Sequence, residues 1–120
     1  MEENRILVVD DEQDLCEIMQ FNLENEGYQV AVAYSAEEAL ARTDLPTFHL
    51  FILDIMMGEM SGFKLAQKLK QDPATNQAAI IFVTARDTEN DIITGLTLGA
   101  DDYMAKPFSV RELILRVKAV

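Results

Sequence analysis

The chain has 120 residues, of which 49% are hydrophobic, so it is long and apolar enough for one globular domain with a buried core. Its 21 acidic and 10 basic residues give a net charge of −11, which argues against direct binding of nucleic acid by this segment. No apolar run reaches the roughly 20 residues that span a bilayer, no secretory signal is visible and the single cysteine cannot form an internal disulfide, so we expect a cytoplasmic protein without membrane contact.

Strand-like and helix-like segments alternate five times along the chain. The expected strands are short apolar runs, at 5–9, 29–34, 49–53, 79–83 and 102–105. The expected helices have apolar residues at helical spacing, at about 12–26, 35–42, 61–71, 89–98 and 109–120. Ser35 and Ser109 each precede a glutamate by three residues, a spacing that predicts a helix N-terminus.

This alternation is typical of an α/β fold in which a doubly wound parallel sheet has helices on both faces. The runs at 5–9, 49–53 and 79–83 are the most uniformly apolar, so we place them in the centre of the sheet. The resulting strand order is 2-1-3-4-5, the flavodoxin-like arrangement. No internal repeat or linker divides the chain, so residues 1–120 form one domain, which we expect to be the N-terminal part of a longer protein.

Polar side chains follow four of the expected strands. Asp10 and Asp11 follow the first run, Asp54 the third, Thr84 the fourth and Lys106 the fifth. Because the carboxyl ends of parallel strands share one edge of the sheet, we expect these side chains to converge there. Aspartates in such positions also cap helices or form turns. Three carboxylates need a cation, and lysine and threonine suit an anion, so the combination favours a site for a divalent metal and a phosphate.

Several separated segments resemble the receiver domain of bacterial two-component response regulators. They are Asp10-Asp11, residues 54–62 (DIMMGEMSG), Thr84-Ala85 and residues 99–108 (GADDYMAKPF). The last segment is most similar to the OmpR/PhoB subfamily, whose receivers precede a winged-helix DNA-binding domain. The resemblance covers essentially the whole chain and implies a CheY-like version of the fold.

The resemblance also implies a chemistry. Asp54 would accept a phosphoryl group from a sensor histidine kinase, in a reaction that requires Mg²⁺ or Mn²⁺. Asp10, Asp11 and Asp54 would bind the metal together with the backbone carbonyl of Met56. The chain would catalyse its own phosphorylation and a slow self-dephosphorylation, without being a conventional enzyme, and would switch the output of a signalling pathway, which we expect to be transcription.

Three further roles follow from the same resemblance. Lys106 would pair with the phosphoryl oxygens, Thr84 would bind the phosphate, and Tyr103 would rotate inward as a switch.

Phosphorylated members of the subfamily form homodimers through the fourth helix, the fifth strand and the fifth helix. The residues that match this face are Ile93, Leu96, Asp102, Ile114 and Arg116. DNA would be bound only through a C-terminal domain outside these 120 residues.

Two positions flank the path by which water would attack a phosphorylated Asp54. Met56 and Arg86 occupy them, and neither side chain positions water well as a base, so we expect slow hydrolysis. Gly58 stands where many members have proline, so we expect a more mobile loop after Asp54. Ile92 stands where a basic partner of Glu112 is usual, so we expect a weak dimer.

Other functions fit the residues less well. A stand-alone phosphorelay receiver without DNA-binding output is the main alternative. A hydrolase of the haloacid dehalogenase type would need an aspartate at position 56, where Met56 stands. A flavin- or nucleotide-binding module would need a phosphate loop after the first strand, where Asp10, Asp11 and Glu12 would repel a phosphate. A degenerate receiver that only binds proteins would lack some of the five site residues.

Overall fold

Five short strands form the centre of the fold in a computed structural model that describes residues 4–120. They are β1 (Arg5–Val9), β2 (Gln29–Ala33), β3 (Leu50–Leu53), β4 (Ala79–Thr84) and β5 (Asp102–Ala105). All pairs are parallel and the order is β2-β1-β3-β4-β5. The predicted fold class and strand order are therefore confirmed.

Five α-helices connect and follow the strands. They are α1 (Gln13–Asn25), α2 (Ala36–Leu40), α3 (Gly62–Gln71), α4 (Glu89–Thr97) and α5 (Val110–Ala119). The second helix ends two residues before the predicted position 42, and a 3₁₀ turn at Leu45–Thr47 follows it. The Arg42 guanidinium there bonds to both carboxylate oxygens of Asp44 at 2.9 Å.

Serine side chains cap α2 and α5, the two helices for which the sequence predicts such a cap. The Ser35 hydroxyl accepts a hydrogen bond from the Glu38 amide at 3.0 Å, and the Glu38 carboxylate accepts one from the Tyr34 amide at 2.8 Å. The Ser109 hydroxyl accepts one from the Glu112 amide at 3.0 Å. These bonds satisfy amide groups that the first turn of each helix leaves unpaired.

The strands are buried on both faces of the sheet. On one face Phe51, Leu53 and Phe82 pack with α2 and α3, and on the other Ile52 and Val83 pack with α1 and α5. Because successive side chains of a strand point to opposite faces, each strand contributes to both cores. Polar groups are thus left to the strand ends, where the candidate site lies.

The loop after β3 folds back against the strand end that carries Asp54. The Gly62 amide donates to the Ile55 carbonyl at 2.9 Å. A Cβ atom at position 62 would lie 1.9 Å from the backbone carbonyl oxygen of Asp54, which no side chain tolerates. Glycine at 62 is therefore required for the start of α3 to approach the backbone of the site.

Substitution of this glycine should destabilise the fold. We expect Gly62→Ala to lower the free energy of unfolding by on the order of 3 kcal/mol, because backbone must move to admit the methyl group. Gly58→Ala is the matched control, since a Cβ there meets nothing within 4 Å and only its φ of +43° is unfavourable. Its cost should be about 1 kcal/mol. Urea unfolding measures both, and equal losses would contradict the close approach.

Candidate functional site

Two buried aspartates lie side by side at the carboxyl edge of the sheet. Asp10 follows β1 and is 1% exposed, and Asp54 follows β3 and is 5% exposed. The Asp54 amide donates to the Val9 carbonyl at 3.0 Å, which fixes the two strand ends against each other. One carboxylate oxygen each from Asp10, Glu12 and Asp54 lies within 4.8 Å of the others.

The backbone that follows Asp54 fixes the orientation of its carboxylate. Oδ1 accepts hydrogen bonds from the amides of Ile55 and Met56, at 2.7 and 3.3 Å. Oδ2 lies 3.1 Å from Nζ of Lys106. The carboxylate is thus pre-positioned, with one oxygen held by amides and the other facing a cation.

Lys106 supplies the positive charge at the centre of the site. Its amide donates to the Thr84 carbonyl at 2.8 Å, and the Lys106–Pro107 peptide bond is cis. Its ammonium lies 2.9 Å from Asp10, 2.5 Å from Glu12 and 3.1 Å from Asp54. Burial opposes the charge, but hydrogen bonds to these carboxylates outweigh it and raise the pKa of Lys106. One ammonium is therefore shared by three carboxylates.

Of the three carboxylates around Lys106, Asp10 has the least favourable environment for a negative charge. Its Oδ1 accepts a hydrogen bond from the Glu12 amide at 2.9 Å, whereas the partner of its buried Oδ2 is the Lys106 ammonium at 2.9 Å, which Glu12 and Asp54 share. Burial is the main cause that raises the pKa of Asp10 above its ordinary value. A buried carboxylate oxygen that shares its ammonium with two other carboxylates fits a hard divalent cation such as Mg²⁺.

The structure brings Glu12 to the site and leaves Asp11 outside the group. Both residues are exposed, but it is the Glu12 carboxylate that contacts Lys106 and joins Asp10 and Asp54. The sequence predicts Glu12 as the start of a helix and as part of the acidic run from Asp10 to Glu12, and that run is the one signal for its place in the site. The role of Asp11 as a metal ligand stays a prediction.

Thr84 and Tyr103 are joined through the backbone of one residue, Arg86. The Thr84 hydroxyl is fully buried at the end of β4 and accepts a hydrogen bond from the Arg86 amide at 3.3 Å. The Tyr103 hydroxyl donates to the Arg86 carbonyl. Burial is the main cause that raises the pKa of Tyr103 to about 12, so the hydroxyl keeps its proton at neutral pH. No pattern in the sequence indicates that Arg86 connects these two groups.

The residues expected on the dimer face divide into two groups. Ile93 and Leu96 on α4 are 53% and 46% exposed, so they are available at the surface, whereas Ile114 packs partly against the core. Arg116 bonds to both oxygens of Asp102 at 2.9 Å within the chain. Arg116 also contacts Glu112 at 3.1 Å, so Glu112 has a basic partner on its own helix.

Comparison with known proteins identifies the class of this fold and site. The model of the protein family described as the response regulator receiver domain matches residues 6–118 of this sequence. The chain therefore belongs to the response regulator receiver domain family of two-component systems. Among residues 4–120, no helix is long and apolar enough to cross a membrane.

Individual relatives confirm the resemblance to the OmpR/PhoB subfamily. The chain is 44% identical to alkaline phosphatase synthesis transcriptional regulatory protein PhoP of Bacillus subtilis, over 97% of this chain and 48% of that protein. It is 43% identical to phosphate regulon transcriptional regulatory protein PhoB of Rhizobium meliloti, over 97% of this chain and 51% of that protein. The chain thus spans about half the length of these curated relatives.

A solved structure agrees with the fold over nearly the full length. The CheY-like response regulator receiver domain protein from Methanospirillum hungatei superposes with a TM-score of 0.88 and 32% sequence identity. The match covers 98% of this chain and 92% of that chain. The CheY-like fold predicted from the sequence is thereby confirmed.

The buried charge of Asp10 leads to a prediction about the free energy of unfolding. We expect Asp10→Asn to raise the free energy of unfolding at neutral pH in EDTA, by on the order of 1 kcal/mol. The folded-state pKa of Asp10 is raised, so its ionisation costs stability as the pH rises through that pKa, and the amide avoids this cost. The difference between the variant and the parent should therefore shrink as the pH falls.

The control is Asp11→Asn, which removes the same charge from an exposed position. It should change the free energy of unfolding by less than about 0.5 kcal/mol. Urea unfolding in EDTA measures both variants. A loss of stability in Asp10→Asn would show that its pairing with Lys106 outweighs its burial.

Proposed function

We propose that this domain accepts a phosphoryl group on Asp54 from a phosphohistidine of a sensor histidine kinase, and that phosphorylation switches a transcriptional response. The observation that carries the proposal is the buried Asp54 carboxylate, which is held by two amides and lies 3.1 Å from the Lys106 ammonium that it shares with Asp10. Relatives that are named as transcriptional regulatory proteins support the second half.

The transfer needs a positioned nucleophile and compensation of negative charge. A carboxylate oxygen of Asp54 forms a bond to phosphorus while the phosphorus–nitrogen bond of the phosphohistidine breaks and its electron pair stays on the ring nitrogen. The imidazole leaves as a neutral ring when its other nitrogen carries a proton. The Asp54 carboxylate is itself the nucleophile, so the transfer needs no general base. Lys106, on its flexible stem, exchanges carboxylate partners for a phosphoryl oxygen and neutralises part of its charge.

The site also has the ligands for a metal cofactor. Asp10, Asp11 and Asp54, with the backbone carbonyl of Met56, would hold Mg²⁺ or Mn²⁺, which supplies positive charge to the phosphoryl oxygens when bound. The crowding of carboxylates around a single ammonium supports this assignment. Glu12 is the further acid close enough to contribute.

The signal would leave the site through Thr84 and Tyr103. Once Thr84 donates its hydroxyl to a phosphoryl oxygen, the loop that contains Arg86 and the ring of Tyr103 adjust behind it. Phosphorylation then favours the conformer whose α4–β5–α5 face pairs with a second copy. Exposed Ile93 and Leu96 support this face, and DNA would be bound by a further domain of a longer protein.

Phosphorylation of the intact chain tests the proposal. With Mg²⁺ and acetyl phosphate, the mass should increase by one phosphoryl group, because the oriented Asp54 carboxylate attacks the phosphorus of the donor and acetate leaves. Asp54→Asn should show no increase, and neither should the parent chain in EDTA. Asp14→Asn, an exposed aspartate on α1, is the matched control and should be modified like the parent. Modification of Asp54→Asn, or none of the parent, would contradict the proposal.

The same mass measurement follows the loss of the phosphoryl group after the donor is removed. Met56 is exposed at the rim, and the Arg86 guanidinium pairs with Asp91 at 2.8 Å, so neither side chain activates water. We therefore expect slow hydrolysis, and faster hydrolysis in Met56→Glu, which introduces a carboxylate that can orient water. Equal rates in the two proteins would contradict this explanation.

The dimer face has its own test by sedimentation velocity with Mg²⁺ and beryllium fluoride, a phosphoryl analogue. We expect the parent to shift toward a dimer and Ile93→Asp to remain a monomer, because a buried unpaired charge opposes association. Phe21→Asp, at a position on α1 that is 64% exposed and outside the predicted α4–β5–α5 face, should dimerise like the parent. Equal effects of the two substitutions would exclude the predicted face.

A further inference from the structure

Asp91, in the first turn of α4, is buried and fully engaged although it follows an exposed loop. It is 8% exposed. Its Oδ1 lies 2.8 Å from Nη2 of Arg86, and its Oδ2 accepts a hydrogen bond from the Thr88 hydroxyl at 2.7 Å. The Thr88 hydroxyl oxygen in turn accepts one from the Asp91 amide at 3.2 Å and caps the helix. Asp91 therefore ties the loop between β4 and α4 to the helix.

Arg86, whose side chain pairs with Asp91, forms hydrogen bonds with both its backbone amide and its backbone carbonyl. The Arg86 amide donates to the Thr84 hydroxyl, and the Arg86 carbonyl accepts from the Tyr103 hydroxyl. The position of this carbonyl decides whether Tyr103 has a partner. Because Asp91 anchors the Arg86 side chain through an ion pair, it also restrains the backbone carbonyl of the same residue.

The ring of Tyr103 occupies a space that α4 leaves open for it. Its centroid lies 5.8 Å from that of Phe82. A Cβ atom at Gly95 of α4 would come within 3.0 Å of the rings of both Phe82 and Tyr103. The ring thus lies packed between β4 and α4, and its hydroxyl reaches Arg86 from this position.

We infer that Asp91 is a positioning residue that, by anchoring Arg86, holds Tyr103 in its packed position and so sets the affinity of Asp54 for a phosphoryl group. The inference rests on the proposed function. If the packed position of Tyr103 belongs to the conformer that binds the phosphoryl group, any contact that stabilises this position tightens binding at Asp54 by the same factor.

Direct electrostatics predicts the opposite sign, which makes the inference testable. Hydrogen bonds from Thr88 and Arg86 lower the pKa of Asp91, so its carboxylate is charged at neutral pH. Removing this charge would reduce repulsion of an anion at Asp54 and would release the Arg86 guanidinium, and both changes favour anion binding. Weaker binding on removal of Asp91 therefore cannot come from charge alone.

The experiment is a titration of the chain with beryllium fluoride in excess Mg²⁺, followed by ¹⁹F NMR of 3-fluorotyrosine. The chain has three tyrosines, and Tyr103→Phe assigns the resonance of interest. Asp91→Asn should raise the Kd about threefold to tenfold, the effect of losing one or two hydrogen bonds. It should also shift the Tyr103 resonance of the free protein and leave those of Tyr28 and Tyr34 in place.

Glu89→Gln is the matched control, because Glu89 is an exposed acid in the same first turn of α4. It should not raise the Kd. The double variant Asp91→Asn/Tyr103→Phe should bind no more weakly than Tyr103→Phe, since Asp91 acts through the Tyr103 hydroxyl. Equal or tighter binding by Asp91→Asn, or additive losses in the double variant, would overturn the inference.

Two results separate this inference from the proposed function. If the parent chain does not bind beryllium fluoride, the proposed function itself is wrong. If the parent binds and Asp91→Asn binds equally well, only the inference is wrong. Unchanged Tyr28 and Tyr34 resonances show that the variant is folded, so a weaker affinity cannot be attributed to unfolding.

Discussion

The contact of one ammonium group with three carboxylates is the interaction on which the rest of this site depends. Lys106 lies within 3.1 Å of Asp10, Glu12 and Asp54 at one edge of the sheet. A single positive charge cannot satisfy three negative ones, and burial raises the pKa of Asp10 even with the lysine present. The site is therefore an acceptor of further positive charge, and the buried Oδ2 of Asp10, which shares the ammonium with two other carboxylates, marks where that charge is needed.

The fold maintains this unfavourable concentration of charge because its strands are rigid. The four residues at 6–9 are fully buried, and β1 pairs with β2 and β3 on its two sides. Asp10 and Asp54 extend directly from adjacent strands, and Gly62 brings the start of α3 against the Asp54 backbone. The stability needed to hold like charges together comes from the two apolar cores, while the charged edge gives up stability for function.

Much of this arrangement was predictable, and the reasons differ for fold and site. Uniformly apolar runs identify central strands, and a parallel sheet then requires their ends to meet, which placed Asp10, Asp54 and Lys106 together. The contact of Glu12 with Lys106 depends on side-chain direction at a helix start, which hydrophobic patterns do not encode. The link from Asp91 through Arg86 depends on a loop conformation and on contacts across the chain, so it also required the structure.

The most direct test of the central claim is a crystal structure of the chain with Mg²⁺ and beryllium fluoride. We predict a metal bound by Asp10 and Asp54, the fluoride group on Asp54, and the ammonium of Lys106 moved from Asp10 to a fluorine. The same structure would show whether Asp11 or Glu12 completes the metal site. A structure with Lys106 still on Asp10 and no metal between the aspartates would contradict the claim that this edge of the sheet is built to take additional positive charge.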